Sequence, residues 1–205
     1  MPGDDALHEI SLAVWDLPSP LVMTHRSKMK VGATCSGGCP LTDQEIEIYS
    51  DKEVTAGRGR LGPTPWPGTS ALYWTEVDLL APATEGTSSW SVVLAASNLE
   101  LPHARAASRF SFVTVPPPEH TVTVKVTEKG AESPVDNVEV RFGVYRDRTD
   151  EYGLAKVELP KGAYDLVVWK LGYEALTKAV EVTADAMLQV EIGLAPEPEE
   201  PYWTG

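Results

Sequence analysis

The chain has 205 residues, with 17 basic and 30 acidic side chains and a formal net charge of −13 at pH 7. Both halves are acidic, so the chain lacks a phosphate-neutralising surface and nucleic acid is not expected as a partner. An acidic chain is also repelled by anionic membrane surfaces. No apolar run approaches the roughly 18 residues of a transmembrane helix, so no membrane insertion is expected.

The N-terminal stretch, MPGDDALHE, lacks the basic and apolar regions of a signal peptide. This predicts a cytoplasmic location, with export as the alternative if a leader has been removed. The 17 prolines and 16 glycines are spread through the chain in short runs. That distribution favours β-sandwiches over helices, and no amphipathic helix of ten or more residues is predicted.

The first half of the chain is predicted to form an immunoglobulin-like β-sandwich over residues 1–115. About seven short strands with frequent turn signals have the density expected of that fold. The Cys…Trp…Cys spacing of antibody-type domains is absent. Residues 57–68 are so rich in Gly and Pro that an irregular loop is predicted there. The predicted strands span residues 7–15, 28–34, 44–49, 53–56, 70–80, 88–95 and 108–115.

The remainder of the chain begins with a proline-rich linker at residues 116–119, which contains three consecutive prolines. Such a run favours a short, stiff polyproline segment. A second domain is predicted over residues 120–194, followed by an acidic Pro/Glu tail at 195–205. The predicted fold class is therefore all-β, with two β-sandwich domains in tandem.

The second domain contains a recognisable series of turns and strands. Asp150 and Gly153 predict a tight turn, and strands are predicted at 154–159 and 164–169 around a Pro-Lys-Gly turn. The pattern Thr-Asp-x-x-Gly, a strand, Leu-Pro-x-Gly-x-Tyr-x-Leu-x-Val and then Gly-Tyr resembles the carboxypeptidase regulatory-like group of transthyretin-like β-sandwiches. The segment 134–140 fits as well, with Asn137 in place of the usual small residue.

This resemblance covers about residues 120–193 and implies a β-sandwich. It implies no single function, because the fold hosts adhesive, spacer, accessory and rare catalytic roles.

Cys35 and Cys39 are the only cysteines, separated by Ser-Gly-Gly. This spacing lets the two thiols meet across a tight loop, and a structural disulfide is the favoured interpretation. Two free thiols, a metal site and redox chemistry remain as alternatives. A metal site would need two more ligands, and the four histidines show no ligand spacing. No metal and no cofactor are therefore predicted.

No catalytic residues are predicted, and the chain is not expected to be an enzyme. Glu76 and Asp78 share one face of a predicted strand and are interpreted as a solvated surface. Gly57, Gly59 and Gly62 match Gly-x-Gly-x-x-Gly. Prolines follow immediately, so no helix can supply a phosphate site, and the nucleotide interpretation is rejected.

The aromatic residues provide the candidate binding sites. Exposed Trp and Tyr side chains in loops suit a partner protein or a sugar ring. The sequence thus predicts a non-catalytic interaction module, an accessory or structural subunit that binds a partner protein through loops and the aromatic tail. The catalytic subunit of a complex is one candidate partner. A carbohydrate-binding module is the alternative, and a small hydrolase comes third. The candidate binding residues are Trp66, Tyr73, Trp74, Tyr202 and Trp203.

Overall fold

The computed structural model describes residues 7–95 and 99–196. All the regular secondary structure in this part of the chain consists of β-strands, so the predicted all-β class is confirmed. No helix among the described residues is long and apolar enough to cross a membrane. The chain divides into two compact units, Met1–Pro116 and Pro117–Gly205, and the division falls within the run of three prolines.

The first unit is a sandwich of two sheets. One sheet has the strand order β1-β3-β6 with antiparallel neighbours, and the other has the order β2-β8-β7-β4-β5. Within the second sheet, β2 pairs with β8 in the parallel sense. The strands are β1 (Ile10–Trp15), β2 (Leu21–Val22), β3 (Arg26–Cys35), β4 (Glu45–Tyr49), β5 (Thr55–Arg60), β6 (Tyr73–Leu80), β7 (Gly86–Leu94) and β8 (Ala106–Val115).

Side-chain alternation along the strands creates the first core. In β3 the buried Met29 and Val31 alternate with Lys28 and Lys30, which face away from the core. In β6, Val77 and Leu79 are buried in the same way. Glu76 and Asp78 lie on the opposite face and are exposed, as the sequence predicted.

Strand β5 corrects the prediction of an irregular loop at residues 57–68. Gly57 and Gly59 lie inside this strand, which pairs with β4. A Cβ atom on Gly59 would lie 2.8 Å from a Val77 methyl group, and one on Gly57 would lie 3.0 Å from the Asp78 carbonyl oxygen. The glycines therefore permit a close approach to β6, which belongs to the other sheet.

The second unit is a sandwich of a four-stranded sheet, order β11-β10-β13-β14, and a three-stranded sheet, order β12-β9-β15. β15 pairs with β9 in the parallel sense, and the other described pairs of neighbouring strands in this unit are antiparallel. Its core is rich in valine and includes the fully buried Phe142 and Leu166. The strands are β9 (His120–Glu128), β10 (Glu139–Phe142), β11 (Tyr145–Arg148), β12 (Leu154–Leu159), β13 (Gly162–Trp169), β14 (Leu176–Val182) and β15 (Ala186–Ile192).

The Thr-Asp-x-x-Gly segment forms the turn that the sequence predicts between β11 and β12. Asp150 accepts hydrogen bonds from the backbone N–H groups of Tyr152 and Leu154, each at 2.9 Å, and Gly153 has a φ of 71°. The buried Thr149 hydroxyl donates to the Val135 carbonyl and accepts from the Val138 N–H. These side chains therefore fix the turn against the segment before β10.

The close approach of β5 to β6 generates a test. Gly59→Ala places a methyl group against Val77 and is expected to reduce the free energy of unfolding by about 1–3 kcal/mol, as overpacking of a core does. Urea titration followed by circular dichroism measures this change. The matched control is Gly62→Ala, whose Cβ would meet only the Trp74 carbonyl oxygen at 3.4 Å. Equal stabilities for the two variants would contradict the close sheet contact.

Candidate functional site

Two thiols and two imidazoles meet at one end of the first domain. His8 Nδ1 lies 3.1 Å from Cys39 Sγ and 3.6 Å from Cys35 Sγ. His103 Nε2 lies 3.3 Å from Cys35 Sγ. The four potential ligand atoms all lie within 4.8 Å of one another. We call these four residues the sulfur–imidazole cluster, and their geometry could hold a single metal ion.

The backbone brings the cluster together from three separate segments. Cys35 is the last residue of β3, and the chain turns back through Gly38, whose N–H donates to the Cys35 carbonyl at 3.0 Å. His8 and His103 form an isolated parallel bridge. The His8 N–H donates to the Pro102 carbonyl at 3.1 Å, and the Ala104 N–H donates to the His8 carbonyl at 3.0 Å.

Gly37 leaves room for the His8 ring in the cluster because it has no side chain. A Cβ atom at this position would lie 2.4 Å from Cε1 and 2.6 Å from Nδ1 of the His8 ring. Real Cβ atoms do not approach other atoms so closely, so the His8 ring occupies space that only glycine leaves open. The Ser-Gly-Gly spacer therefore has two roles. It allows the chain to turn, and it leaves room for the His8 imidazole beside both sulfur atoms.

The pKa values of the two thiols are shifted in opposite directions. Burial raises the pKa of Cys35, but hydrogen bonds from the backbone of Cys39 and Gly37 and from the side chains of His103 and Cys39 outweigh it and lower that pKa to about 6. Burial, the hydrogen bond to Cys35 and the Cys35 charge raise the pKa of Cys39. Cys35 is therefore the thiol that ionises first.

The orientation of His103 is fixed from the other side of its ring. Its Nδ1 atom lies 2.7 Å from the Leu101 carbonyl oxygen. A carbonyl oxygen only accepts hydrogen bonds, so Nδ1 carries the proton. Nε2 therefore faces Cys35 as a hydrogen-bond donor when both ring nitrogens carry protons, and as a lone pair when only Nδ1 does.

The structure and the sequence prediction differ at this site. Cys35 and Cys39 are free thiols in the structure, whereas the sequence favoured a disulfide between them. The two histidines were missed as partners because His8 lies 27 residues before Cys35 and His103 lies 68 residues after it. Only the pairing of their two backbone segments brings them to the same place.

A second group of side chains lies on the outer face of the β1-β3-β6 sheet. The Trp66 ring centroid is 5.2 Å from that of Trp15 and 4.9 Å from that of Trp74, with interplanar angles of 82° and 84°. Lys30 Nζ lies 5.1 Å from the Trp66 centroid and 6.0 Å from that of Trp74. We call Trp15, Lys30, Trp66 and Trp74 the aromatic face.

Strand register explains how the aromatic face forms. Trp15 stands opposite Lys30 in the β1–β3 pairing, and Trp74 stands opposite Gly32 in the β3–β6 pairing. The Trp15 ring covers Gly32, where an added Cβ atom would lie 2.9 Å from that ring. Trp66 joins from the preceding loop, where its N–H donates to the Leu72 carbonyl at 2.7 Å. None of the three tryptophans belongs to the hydrophobic core of this domain.

The predicted binding residues fall into three groups. Trp66 and Trp74 are brought together in the aromatic face. Tyr73 lies on the other side of β6, where it packs against the core, and so does not join them. Tyr202 and Trp203 lie outside the described residues. Sequence reasoning missed Trp15 because it ends a strand that was interpreted only as part of the sheet.

Comparisons with known proteins concern the fold alone. No family model matches the chain, and no curated protein matches it. A CARDB domain from Pyrococcus furiosus aligns with 53% of this chain and 96% of its own length, at 12% identity and a TM-score of 0.39. The fibronectin(III)-like modules of Clostridium thermocellum CbhA align with 87% of this chain and 95% of their own length, at 11% identity and a TM-score of 0.33.

The major pilin subunit BcpA of Bacillus cereus aligns with 92% of this chain and 71% of its own length, at 8% identity and a TM-score of 0.32. At these identities and TM-scores, none of the three alignments carries an argument about the ligand, partner or function of this chain.

The packing of Trp15 over Gly32 can be tested directly. Gly32→Ala is expected to displace the Trp15 ring and the Leu72 methyl group that lies 2.8 Å from the added Cβ. The tryptophan bands in the near-ultraviolet circular dichroism spectrum should then weaken, while the far-ultraviolet β-sheet signal stays. A near-ultraviolet spectrum identical to that of the unsubstituted protein would show that the aromatic face is not assembled as described.

Proposed function

We propose that this chain is a non-catalytic interaction module that binds a partner protein through the aromatic face of its first domain, as an accessory or structural subunit. The observation that carries the proposal is the gathering of three tryptophans and one lysine outside the hydrophobic core. Trp15, Trp66 and Trp74 are each partly exposed. Large aromatic side chains of this kind dominate the energetics of protein interfaces.

The geometry of the rings favours a protein over a sugar. A sugar ring packs flat on an aromatic face that is open to solvent. Here the Trp66 ring stands nearly perpendicular to the rings of Trp15 and Trp74, and Lys30 lies over Trp66. Lys30 is itself held by Asp16, at 2.6 Å between Nζ and Oδ2. The aromatic face is therefore a compact, uneven surface, and carbohydrate binding is kept as the alternative function.

The acidic pair in β6 supports the non-catalytic part of the proposal. Glu76 forms an exposed ion pair with Lys28 across the β3–β6 register, and this pairing raises the pKa of Lys28. Such exposed pairs contribute little to stability. Their position on an open sheet face suits a solvated surface better than acid–base catalysis.

The second domain is proposed to be carboxypeptidase regulatory-like. The residues that carry the resemblance hold defined structural positions, because Thr149, Asp150 and Gly153 build the β11–β12 turn. The Tyr164 hydroxyl donates to the Pro160 carbonyl at 2.9 Å and fixes the next turn. A cytoplasmic location is also proposed, with export as the alternative, and the redox state of Cys35 and Cys39 in protein isolated without added oxidant tests it.

The test of partner binding uses single tryptophan substitutions in the full chain. The unsubstituted protein serves as bait in extract of the source organism, the captured partner is purified, and its Kd is measured by calorimetry. Trp66→Ala and Trp74→Ala are each expected to weaken binding by about 30-fold or more, the size of an interface hot spot. The control is Trp169→Ala, which removes a tryptophan that is 48% exposed in the second domain.

A loss of binding in the Trp169→Ala control, or unchanged Kd values in both first-domain variants, would contradict the proposal. A glycan array provides the opposing arm. A signal that disappears in Trp66→Ala would establish the carbohydrate alternative instead.

The tail provides a separate prediction. Deletion of residues 196–205, or substitution of Tyr202 and Trp203 by alanine, is expected to abolish capture if the acidic, aromatic tail is a docking peptide. Capture by the shortened chain, measured against the full chain under the same conditions, decides this. Capture that survives the deletion would remove the tail from the proposal and leave the aromatic face.

A further inference from the structure

We propose that His8, Cys35, Cys39 and His103 form a four-coordinate Zn²⁺ site that stabilises one end of the first domain. This inference is independent of partner binding by the aromatic face. It also departs from the sequence-based prediction of no metal, because that prediction lacked two of the four ligands.

The chemistry of the ligands selects the ion. Two cysteine sulfurs with two histidine nitrogens are a ligand set that structural zinc sites use. Thiolate and imidazole ligands disfavour Mg²⁺ and Ca²⁺, which prefer oxygen. Two thiolates also balance the charge of a divalent cation, so the occupied site carries no net charge and its burial is less costly. Cys35 is buried, and the other three ligands are partly buried.

The distances match a tetrahedral centre. Zinc bonds of about 2.3 Å to sulfur and about 2.0–2.1 Å to nitrogen imply a sulfur–nitrogen separation of about 3.6 Å at tetrahedral angles. The three sulfur–nitrogen contacts in the cluster measure 3.1, 3.3 and 3.6 Å. These contacts lie within about 0.5 Å of that separation, so small side-chain adjustments would bring the atoms to bonding distance of one ion.

The surroundings of the ligands support the same conclusion. The Leu101 carbonyl accepts a hydrogen bond from His103 Nδ1–H, and an outer hydrogen bond of this kind orients metal-binding histidines. The Gly37 N–H donates to Cys35 Sγ at 3.3 Å. A disulfide between the two cysteines would use neither imidazole, whereas a zinc ion uses both.

The position of the site indicates a structural role. The ligands connect the end of β3, in one sheet of the sandwich, to the segment that leads into β8, in the other sheet. All four positions of a tetrahedral ion would be filled by protein, which leaves none for a substrate. An open cleft of about 310 Å³, lined in part by Cys39 and His103, gives an ion a route to the site.

The experiment measures metal content in the full chain, produced under reducing conditions without a histidine tag. Elemental analysis is expected to find one zinc ion per chain, and native mass spectrometry should show the corresponding mass. Replacement by Co²⁺ should produce the intense visible absorption of tetrahedral cobalt with thiolate ligands. Removal of zinc with a chelator is expected to lower Tm by about 10 °C, and added Zn²⁺ should restore it.

Single substitutions assign the ligands. Cys35→Ser, Cys39→Ser and His103→Gln are each expected to reduce zinc content well below one ion per chain and to remove the tetrahedral cobalt spectrum. His25→Gln is the matched control. His25 lies in the same domain but outside the cluster, and its Nδ1 atom is 2.9 Å from the Met23 carbonyl oxygen. If a serine variant fails to fold, the cobalt spectrum of His103→Gln still tests the assignment.

Three results would overturn the proposal. The first is a chain that stays free of zinc after incubation with the ion, with no change in Tm. The second is a Cys35–Cys39 disulfide in protein isolated without added oxidant, as mass spectrometry of the thiols would reveal. The third is equal zinc content in the ligand variants and in His25→Gln, because the ion would then be bound elsewhere.

Discussion

The packing of two hydrophobic sheet faces against each other is the constraint on which each domain depends. A strand places alternate side chains on opposite faces, so burying one face of a sheet exposes the other. In the first domain this rule sends Met29, Val31 and Val77 inwards. The same rule determines which surfaces can bind a ligand or partner, because only the outer sheet faces and the ends of the sandwich are left exposed.

The aromatic face and the sulfur–imidazole cluster are two consequences of this constraint. The aromatic face uses the outer side of the three-stranded sheet, where Trp15 and Trp74 stand beside Gly32 and leave room for Trp66. The sulfur–imidazole cluster uses an end of the sandwich, where Cys35 terminates β3 and two loop segments pair through His8 and His103. The three tryptophans of the aromatic face lie outside the hydrophobic core, whereas Cys35 belongs to it and Cys39 packs against it, so the sulfur–imidazole cluster continues the core at its edge.

Glycine has a similar role at several of these positions. Gly59 lets a strand of one sheet approach Val77 of the other, Gly32 makes room for the Trp15 ring, and Gly37 makes room for the His8 ring. In each case a Cβ atom would collide with a side chain that comes from a distant part of the sequence. The glycines of this chain therefore serve close packing between elements as well as turns.

The sequence by itself determined the all-β class, most of the strands and the β11–β12 turn. Alternation, β-branching and turn residues such as Asp150 and Gly153 are local signals. They can be recognised from the sequence alone, because they depend only on residues that are close together in the chain. It failed at β5, because a strand of glycine and arginine has no local strand signal. Only the tertiary structure decided that Tyr73 faces the core while Trp74 joins Trp15 and Trp66. It alone placed His8 and His103 beside the two cysteines, because contacts between residues tens of positions apart depend on strand register and sheet order.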